Sequence, residues 1–325
     1  MEPLASVVVP TRDRRDRLAR LLAALGDQEH APPFEVIVVD DASVDDTDAW
    51  LRQRHADPFV LTVLRQPVRQ GAAAARNRGW RVARAPIVCF TDDDCRPDPR
   101  WLSRLVGAFS QGSGMDLVQG RTIPDPDDAS NRGPFSRTMV VTAEQGFYET
   151  CNVAYRRSVL EALGGFDESF RYPYGEDTDL AWRARRTGAK TTFVDDAVVR
   201  HAVWPSDYPA HLRDMPRREG LVLLYRKHPI LRRHFGRRVL FREVHGPTLG
   251  ALSAIAALAL RPRAKARWVG LVVAGAWYAW VCHLVRPHPA RRWQWVTVVP
   301  LAFLADTYEV AVMARASLRY RTLLL

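Results

Sequence analysis

Short apolar runs recur along the first part of the chain, and each is followed by a more polar stretch. The runs consist mainly of β-branched residues, which favour strands. They are SVVVP (6–10), FEVIVVD (34–40), VLTVL (60–64) and IVCF (87–90). Strands that alternate with helices are typical of parallel sheets covered on both faces. The pattern therefore predicts an α/β fold with a mostly parallel, doubly wound sheet flanked by helices.

Helical patterns fill the stretches between these runs. Leucines at positions 18, 21, 22 and 25 share one face of a predicted helix, because they follow the i, i+3, i+4, i+7 spacing. Ser43 comes after the second strand and is expected to cap a helix that runs through Leu51. Each predicted strand is thus followed by a segment that can cover one face of the sheet.

Polar clusters follow three of the predicted strands at the point where each strand ends. They occupy residues 11–13 (TRD), 40–41 (DD) and 92–94 (DDD). Ligands of doubly wound sheets bind beyond the carboxyl ends of the strands, so the clusters are expected to meet in one crevice. Three adjacent carboxylates repel one another unless solvent, cations or donors neutralise them. The sequence therefore predicts a positive partner beside residues 92–94.

Five segments in a fixed order resemble the motifs of glycosyltransferase family 2, whose members have the GT-A fold. They are VVVPTRDR, VVDDASVDDT, QGAAAARNRG, FTDDDCRPDP and GGFDESFRYPYGEDTDLAWRARRTG. The resemblance covers roughly residues 5–205, and the ordered set is what makes it specific. Rossmann dehydrogenases and nucleotidyltransferases are disfavoured, because the turn after the first strand, PTRDRRD, lacks their glycines.

The resemblance implies transfer of a sugar from a nucleotide diphosphate, with a divalent cation, Mg²⁺ or Mn²⁺, offsetting the charge of the diphosphate. Asp94 is the implied metal ligand, and Asp92 is implied to lie toward the ribose or the metal. Alternate residues of an extended segment point the same way, so these two are expected to face one direction and Asp93 another. The alternative is a polar turn whose carboxylates cap the following helix.

The family motifs also imply a set of donor-binding residues along this edge. They are Pro10, Thr11, Arg12, Asp40, Asp41, Arg76, Asp92 and Asp93. One aspartate of the pair at 40–41 is implied to bind the base of the nucleotide, since a carboxylate can accept the imide N–H of uracil. Uridine is therefore the family-level preference. Arg76 either faces a phosphate or lies on a solvated helix surface.

Acidic residues crowd the start of a later predicted helix, in GEDTDL. Acids favour a helix N-terminus because they offset its partial positive charge, so capping is one role open to them. The ED motif of the family matches Glu176 and Asp177. The resemblance implies that Asp177 is the base that deprotonates the attacking hydroxyl, and that Glu176 belongs to the acceptor side. The implied reaction is a single displacement with inversion at the anomeric carbon.

One histidine and two tryptophans near the end of this region each have two possible roles. His201 closes the strand-like run VDDAVVRH, and it is either a ligand of the metal or diphosphate, as in some GT-A enzymes, or a structural residue. Trp204 and Trp182 either stack on a sugar or fill the core. The core is the expected place for Trp182, and Trp204 is assigned to the acceptor side.

Charge is unevenly distributed along the chain. From residue 211 on there are 20 Lys and Arg against 5 Asp and Glu, whereas the earlier part has 27 against 31. The basic tail alternates with apolar runs and contains no nucleic-acid reader motif, so membrane lipids are the expected partner and nucleic acid is not. The four cysteines form no CxxC pair, and the N-terminus lacks a signal-peptide pattern. The catalytic part is therefore expected to be cytoplasmic.

Three apolar segments occupy the tail, at residues 247–260, 268–285 and 295–314. The second has 18 residues without a formal charge and is the best candidate for a transmembrane helix. The third carries Asp306 and Glu309, and the first is short enough to be interfacial or re-entrant. Flanking basic and aromatic residues fit anchoring at lipid headgroups. A soluble helical domain or a dimer interface is the alternative.

These patterns predict a GT-A domain at residues 1–210, a basic juxtamembrane helical segment at 211–245 and a hydrophobic, membrane-associated helical region at 246–325. The acceptor is expected to be a glycan, a lipid-linked molecule or a small molecule that presents a hydroxyl or a phosphate. The alternatives are a nucleotide-binding membrane scaffold without turnover and a receiver-like phosphoacceptor domain, which the length of the chain disfavours.

Overall fold

The chain forms two compact units, of which the computed structural model describes the parts at residues 2–54, 58–110, 114–234, 239–260, 265–289 and 291–324. The first unit contains Met1–Ala129 and Thr138–Val203, and the second contains Ser130–Arg137 and Trp204–Leu325. The strand-end clusters and the ED motif belong to the first unit. The apolar segments of the tail belong to the second.

An eight-stranded sheet, counted over the described residues, forms the centre of the first unit. Its strands are β1 (Ala5–Thr11), β2 (Phe34–Asp40), β3 (Val60–Arg65), β4 (Ile87–Phe90), β5 (Cys95–Pro97), β6 (Leu117–Pro124), β7 (Val153–Arg156) and β8 (Thr191–His201). Their spatial order is β3-β2-β1-β4-β7-β6-β8-β5. The strands predicted from the apolar runs, β1 to β4, pair in parallel, whereas β7 is antiparallel to both of its neighbours. The α/β prediction is confirmed, and the complete sheet is mixed.

Helices flank this sheet on both faces. They are α1 (Arg15–Gly26), α2 (Thr47–Arg52), α3 (Ala72–Val82), α4 (Trp101–Gly107), α5 (Arg157–Leu163) and α6 (Glu176–Arg186). The predicted leucine face of α1 is confirmed, since Leu18, Leu21, Leu22 and Leu25 are all buried. These leucines belong to the core on one face of the sheet, and α3 and α6 contribute to the core on the other.

The carboxyl ends of β1, β2 and β4 lie at one edge of the sheet. Thr11, the last residue of β1, pairs with Asp40, the last residue of β2. Val8 of β1 pairs with Phe90, which ends β4. The N–H of Asp41 donates to the carbonyl of Thr11 at 2.9 Å. The three polar clusters therefore meet at this edge, as the sequence predicts.

The helix expected to be capped by Ser43 begins later than predicted. Asp46 precedes its first residue, Thr47. Oγ of Ser43 instead donates to Oδ1 of Asp40 at 2.5 Å and accepts from the N–H of Asp13 at 3.0 Å. The capping prediction is wrong because Oγ of Ser43 accepts from the N–H of Asp13 rather than from a helix N–H, and its donation to Asp40 holds it in the turn that ends β2.

Helices make up most of the second unit. They are α7 (Tyr208–Asp214), α8 (Glu219–Lys227), α9 (Leu231–His234), α10 (His245–Leu260), α11 (Lys265–Val285) and α12 (Trp295–Tyr320). Two helical stretches, Lys265–Val285 and Arg292–Tyr320, are long and apolar enough to cross a membrane by length and composition, and α10 is a shorter apolar helix. The three apolar segments of the tail therefore correspond to three helices.

α11 carries apolar side chains on all sides, and the rest of the second unit covers few of them. Only 11% of its most apolar window is buried. Trp268, Val272, Trp277 and Trp280 all expose half or more of their surface. An interfacial helix carries one polar face, whereas a helix that is apolar all round needs an apolar environment on every side. The C-terminal region thus fits membrane association.

The acidic residues of the third apolar segment are fully buried within the second unit. Asp306 accepts hydrogen bonds from Arg286 at 2.5 Å and from the hydroxyl of Tyr278 at 2.7 Å. Glu309 accepts from Arg242 at 2.7 Å. Burying a carboxylate is costly unless a cation and hydrogen bonds compensate it, and these partners do so. The two carboxylates of α12 therefore face protein rather than its outer surface.

Candidate active site

Arg14 is the positive partner that the run of aspartates requires. Its Nη1 donates to Oδ1 of Asp93 at 2.7 Å and to Oδ2 of Asp94 at 3.1 Å. Oγ1 of Thr11 donates to Asp93 at 2.8 Å. Arg14 was not among the expected site residues, although its place just beyond the first strand end, in the run RDRR, was a usable signal.

Burial and mutual charge set the protonation of these groups. Burial raises the pKa of Asp93, the charge of Arg14 lowers it and the charge of Asp94 raises it again. Burial alone lowers the pKa of Arg14, but the two carboxylates raise it overall, so the guanidinium stays charged. The alternative in which these carboxylates cap α4 is wrong, because Arg100 occupies the N-cap position without a side-chain cap.

Asp92 points away from its two neighbours. Asp93 and Asp94 form a turn between β4 and β5, closed by a 3.0 Å hydrogen bond from the N–H of Cys95 to the carbonyl of Asp92. The segment is therefore not extended, and the shared direction expected for Asp92 and Asp94 is not found. Asp92 accepts from Nη2 of Arg76 at 2.7 Å, and Nη1 of Arg76 donates to Glu176 at 3.0 Å. Arg76 is only 4% exposed, so the solvated alternative for it is wrong. It links the aspartate turn to the start of α6.

His201 faces Asp94 across two paired strands. Cys95 of β5 pairs with His201 of β8, and the N–H of Ala202 donates to the backbone carbonyl of Asp94 at 2.9 Å. This pairing brings Nε2 of His201 to 3.6 Å from Oδ1 of Asp94. Nδ1 of His201 lies 2.9 Å from the carbonyl of Ala202, which can only accept, so Nδ1 carries a proton. This contact leaves Nε2 as the ring nitrogen that faces the carboxylate of Asp94.

These residues fit a divalent cation. Asp94, Cys95 and His201 each offer a ligand atom, and these atoms lie within 4.8 Å of one another. A metal-binding histidine commonly donates its other nitrogen to a carbonyl, as His201 does. Burial raises the pKa of the Cys95 thiol well above its usual range, which disfavours the thiolate form that a metal ligand needs. Cys95 is a member of this group that the sequence pattern did not reveal.

The aspartates that end β2 are engaged by contacts within the protein. Oδ1 of Asp40 accepts from the N–H of Ser43 at 2.9 Å, and Asp40 is fully buried. Asp41 accepts from the N–H groups of Gln70 and Gly71 at 2.7 and 2.9 Å. Asp40 thus holds the strand-end turn, and Asp41 holds the start of α3. A contact of either with the nucleotide base stays a prediction.

The loop after β1 is joined to the loop after β2. Oδ1 of Asp13 accepts from the N–H of Val44 at 2.7 Å, and Nε of Arg12 lies 3.2 Å from Oδ2 of Asp13. Asp13 has a left-handed backbone, with φ of 51°, which turns the chain sharply at this point. The two loops therefore form one edge of the crevice. The donor-binding roles of Pro10, Thr11 and Arg12 stay predictions.

Three acids at the start of α6 have different surroundings. Asp179 is fully buried and pairs with Arg183 at 2.8 Å, which indicates a structural role. Glu176 is also buried, whereas Asp177 is partly exposed. Oδ1 of Asp177 accepts from the N–H of Thr178 at 2.8 Å. Burial raises the pKa of Asp177 in spite of that hydrogen bond, so its proton affinity is increased. Of the three, Asp177 combines the access and the basicity that a general base needs.

The two tryptophans lie in different units. Trp182 is buried, and its Nε1 donates to the carbonyl of Gly146 at 2.9 Å, so the expected core position is confirmed. Trp204 belongs to the second unit, where it is partly exposed and forms a β-bridge with Arg137. Its acceptor role stays a prediction.

Glu149 is an acidic residue of this region that was not among the expected site residues. Nε2 of Gln119 donates to its Oε2 at 2.8 Å. Burial raises the pKa of Glu149, and the charge of Asp177 raises it further, to about 7. The only sequence signal was the position of Glu149 directly before the strand-like run that forms β7.

Comparison with known proteins decides the family. The model of the family described as "Glycosyl transferase family 2" matches residues 6–164. The glycosyltransferase AglE of Haloferax volcanii is 31% identical over 210 residues, which are 62% of this chain and 68% of that protein. This chain belongs to glycosyltransferase family 2. Two relatives from Mycobacterium tuberculosis are each 29% identical to this family 2 member. The match covers 64% of this chain but only 44% of the length of those proteins.

Solved structures confirm the fold of this family 2 glycosyltransferase. The mannosyltransferase PcManGT from Pyrobaculum calidifontis, in complex with GDP-Man and Mn²⁺, has a TM-score of 0.53 and 21% identity, covering 99% of this chain and 83% of that one. Staphylococcus aureus TarS 1–349, in complex with UDP-GlcNAc, has a TM-score of 0.55 and 19% identity, covering 99% and 92%. The GT-A fold follows, and the receiver-like alternative is wrong.

Proposed function

We propose that this family 2 member is an inverting glycosyltransferase that uses a nucleotide-diphosphate sugar, with a UDP-sugar as the expected donor. The acceptor is a hydroxyl or phosphate group on a glycan, a lipid-linked molecule or a small molecule. The observation that carries the proposal is the 3.6 Å approach of Nε2 of His201 to Asp94 at the carboxyl edge of the sheet. The nucleotide sugars bound by PcManGT and TarS support a donor of this class.

The donor side of the proposed site is the edge formed by β1, β2 and β4. Asp94 and His201 would hold a divalent cation, Mg²⁺ or Mn²⁺, with Asp92 as a further ligand or a contact to the ribose. Such a cation, when bound, offsets the charge of the diphosphate and of the leaving group. Arg14 fixes the orientation of Asp94 through its 3.1 Å hydrogen bond. Arg76 holds Asp92 and adds positive charge to the same side.

The acceptor side is the start of α6. Asp177 takes the proton of the attacking hydroxyl, the acceptor oxygen bonds to the anomeric carbon, and the bond from that carbon to the diphosphate oxygen breaks. Attack and departure take place on opposite faces of the sugar, so the configuration inverts. Arg76 joins the two sides, because it contacts Asp92 and Glu176 with different nitrogens. A shift of α6 would therefore move Arg76 and change its hydrogen bond to Asp92.

Membrane association places the reaction at a lipid surface. The exposed apolar surface of α11 supports insertion of the second unit into a bilayer. We propose that the catalytic unit lies on the cytoplasmic side, where nucleotide sugars are available. A lipid-linked acceptor would then meet the enzyme without leaving the membrane.

A binding and turnover assay tests the proposal. Full-length protein in detergent is incubated with UDP-glucose, UDP-GlcNAc or GDP-mannose, with and without Mn²⁺ or Mg²⁺. We expect at least one donor to raise the melting temperature in a metal-dependent way, because a ligand of the native state stabilises it. Release of the nucleoside diphosphate is then measured. A chain that binds a donor but never releases the diphosphate would leave only the scaffold function.

A further inference from the structure

Arg14 holds two of the three adjacent aspartates with one nitrogen. Its Nη1 donates to Oδ1 of Asp93 at 2.7 Å and to Oδ2 of Asp94 at 3.1 Å. The backbone of Arg14 is fixed, because its carbonyl accepts from the N–H of Leu18 on the buried face of α1 at 3.0 Å. The side chain of Arg14 is 36% exposed, whereas those of Asp93 and Asp94 are 4% and 6% exposed. Arg14 therefore places a guanidinium at the accessible edge of two largely buried carboxylates.

The two oxygens of Asp94 face different partners. Oδ2 is the oxygen bound by Arg14, and Oδ1 is the oxygen that lies 3.6 Å from Nε2 of His201. A cation held by Asp94 and His201 would therefore use Oδ1, while Arg14 stays on Oδ2. A guanidinium and a divalent cation would then share one carboxylate.

Charge makes that arrangement unfavourable for a cation alone. Arg76 contacts Asp92 at 2.7 Å, so two guanidiniums already contact all three aspartates. Burial raises the pKa of Asp93 to about 6, so at pH 7.5 this carboxyl is mainly ionised and is compensated by Arg14. Like charges on one carboxylate repel each other, and salt screens buried charges poorly. The aspartates therefore attract a cation weakly unless further negative charge arrives with it.

We propose that Arg14 makes binding of the cation conditional on the donor. Without a donor, the charge of Arg14 keeps the affinity of Asp94 and His201 for a divalent cation low. A nucleotide diphosphate supplies the missing negative charge, and the guanidinium and the cation both face it, since arginine binds phosphate oxygens through charge-assisted hydrogen bonds. This inference rests on the proposed function, and it adds Arg14 to the donor-binding residues.

Titration with Mn²⁺ alone tests the effect of Arg14 on the metal. Full-length protein in detergent at pH 7.5 is titrated, and free Mn²⁺ is measured by its electron paramagnetic resonance signal. We expect Arg14→Gln to bind Mn²⁺ about tenfold more tightly than the wild type, because a positive charge beside the site is lost. Arg15→Gln is the matched control and should match the wild type, since Arg15 pairs with the exposed Asp46. Asp94→Asn measures the Mn²⁺ that binds elsewhere.

Addition of a nucleotide tests the coupling. In the wild type we expect UDP or GDP to raise the affinity for Mn²⁺ by at least about tenfold, a factor within the usual range for two coupled ligands. In Arg14→Gln this factor should be smaller by about tenfold, because the cation then binds well without the nucleotide. Arg14→Lys keeps the positive charge and should keep most of the wild-type factor.

An unchanged or weaker affinity of folded Arg14→Gln for Mn²⁺ alone would overturn the inference, because Arg14 would then serve only to orient Asp94. A second variant covers the case in which Arg14→Gln does not fold. Asp93→Asn combined with Arg14→Gln removes one charge of each sign, and it should show the same gain in affinity for Mn²⁺ alone. Absence of that gain in the double variant would also overturn the inference.

Failure of the proposed function gives a different result. If neither UDP nor GDP raises the melting temperature of the wild type in the presence of Mn²⁺, the donor proposal is wrong and the inference falls with it. If a nucleotide does stabilise the wild type and only the Mn²⁺ titrations disagree with expectation, the proposed function stands and the role of Arg14 is wrong.

Discussion

Nε2 of His201 and Oδ1 of Asp94 lie 3.6 Å apart, although more than a hundred residues separate them along the chain. Antiparallel pairing of β5 with β8 sets this distance, because it aligns Cys95 with His201. The carbonyl of Ala202 lies 2.9 Å from Nδ1, the other ring nitrogen, and so orients the ring with Nε2 toward the carboxylate. A divalent cation bound at this site would take a ligand atom from each of the two groups. The first two predictions test this relationship.

Removal of the Asp94 carboxylate should abolish metal-dependent transfer. In Asp94→Asn we expect transfer to fall by at least about 10²-fold, because the charge that holds the cation is lost. The melting temperature without metal should not fall, since removing one of three adjacent carboxylates relieves repulsion. Asp196→Asn is the control, because Asp196 pairs with Arg104 as an exposed ion pair. Full activity of Asp94→Asn would refute the metal site.

Substitution of His201 should weaken metal binding without unfolding the first unit. In His201→Ala we expect the apparent affinity for Mn²⁺ to fall by about 10- to 100-fold, and excess metal should restore part of the rate. Titration of Mn²⁺ at saturating donor measures this. An unchanged Mn²⁺ requirement would show that His201 has only a structural role.

Loss of the proposed base should separate donor binding from chemistry. Asp177→Asn keeps the shape of the side chain but cannot take up a proton, so transfer should fall by at least about 10²-fold with an unchanged donor-induced shift in melting temperature. Asp179→Asn serves as a contrast, because Asp179 pairs with Arg183 and should affect stability first. Near-normal transfer in Asp177→Asn would refute its role as the base and leave only its role at the N-terminus of α6.

Stability should depend on pH through Glu149. Burial, and then the charge of Asp177, raise its folded pKa from about 4.5 to about 7. The folded protein therefore binds this proton more tightly than the unfolded chain, and stability falls as pH rises between these values. Glu149→Gln removes this titrating group. The melting temperature of the variant minus that of the wild type should therefore increase from pH 5 to pH 8. A difference that is constant over this range would contradict the shift.

Charges on the exposed surface of α11 should prevent membrane insertion. Wild-type full-length protein is expected to pellet with membranes and to resist high-salt and carbonate washing. Val272→Lys combined with Val273→Lys should release it, because each lysine near the centre of a span costs about 2.5–3.5 kcal/mol. Val44→Lys is the control, since Val44 is an 85% exposed valine of the catalytic unit. Wild-type protein that stays soluble without detergent would refute the membrane proposal.

The sequence by itself determined the parts of this protein that depend on local periodicity. The leucine spacing in α1, the β-branched runs of β1 to β4 and the uniformly apolar stretch of α11 each specify one element through contacts close in the chain. The ordered motifs also indicated the family and the edge of the sheet where the site lies. The predicted helix start at Ser43 was wrong because its hydroxyl accepts from the N–H of Asp13, 30 residues away in the chain, and donates to Asp40.

Only the tertiary structure decided which charged groups meet. Arg14 binds Asp93 from 79 residues away, and Arg76 binds Glu176 from 100 residues away. The turn that spans residues 92–95, rather than strand alternation, directs Asp92 to Arg76 and Asp94 to His201. The arginine partners of Asp306 and Glu309 likewise lie on other segments of the second unit. Such pairings depend on strand order, register and helix packing, and no spacing within a local stretch of sequence records them.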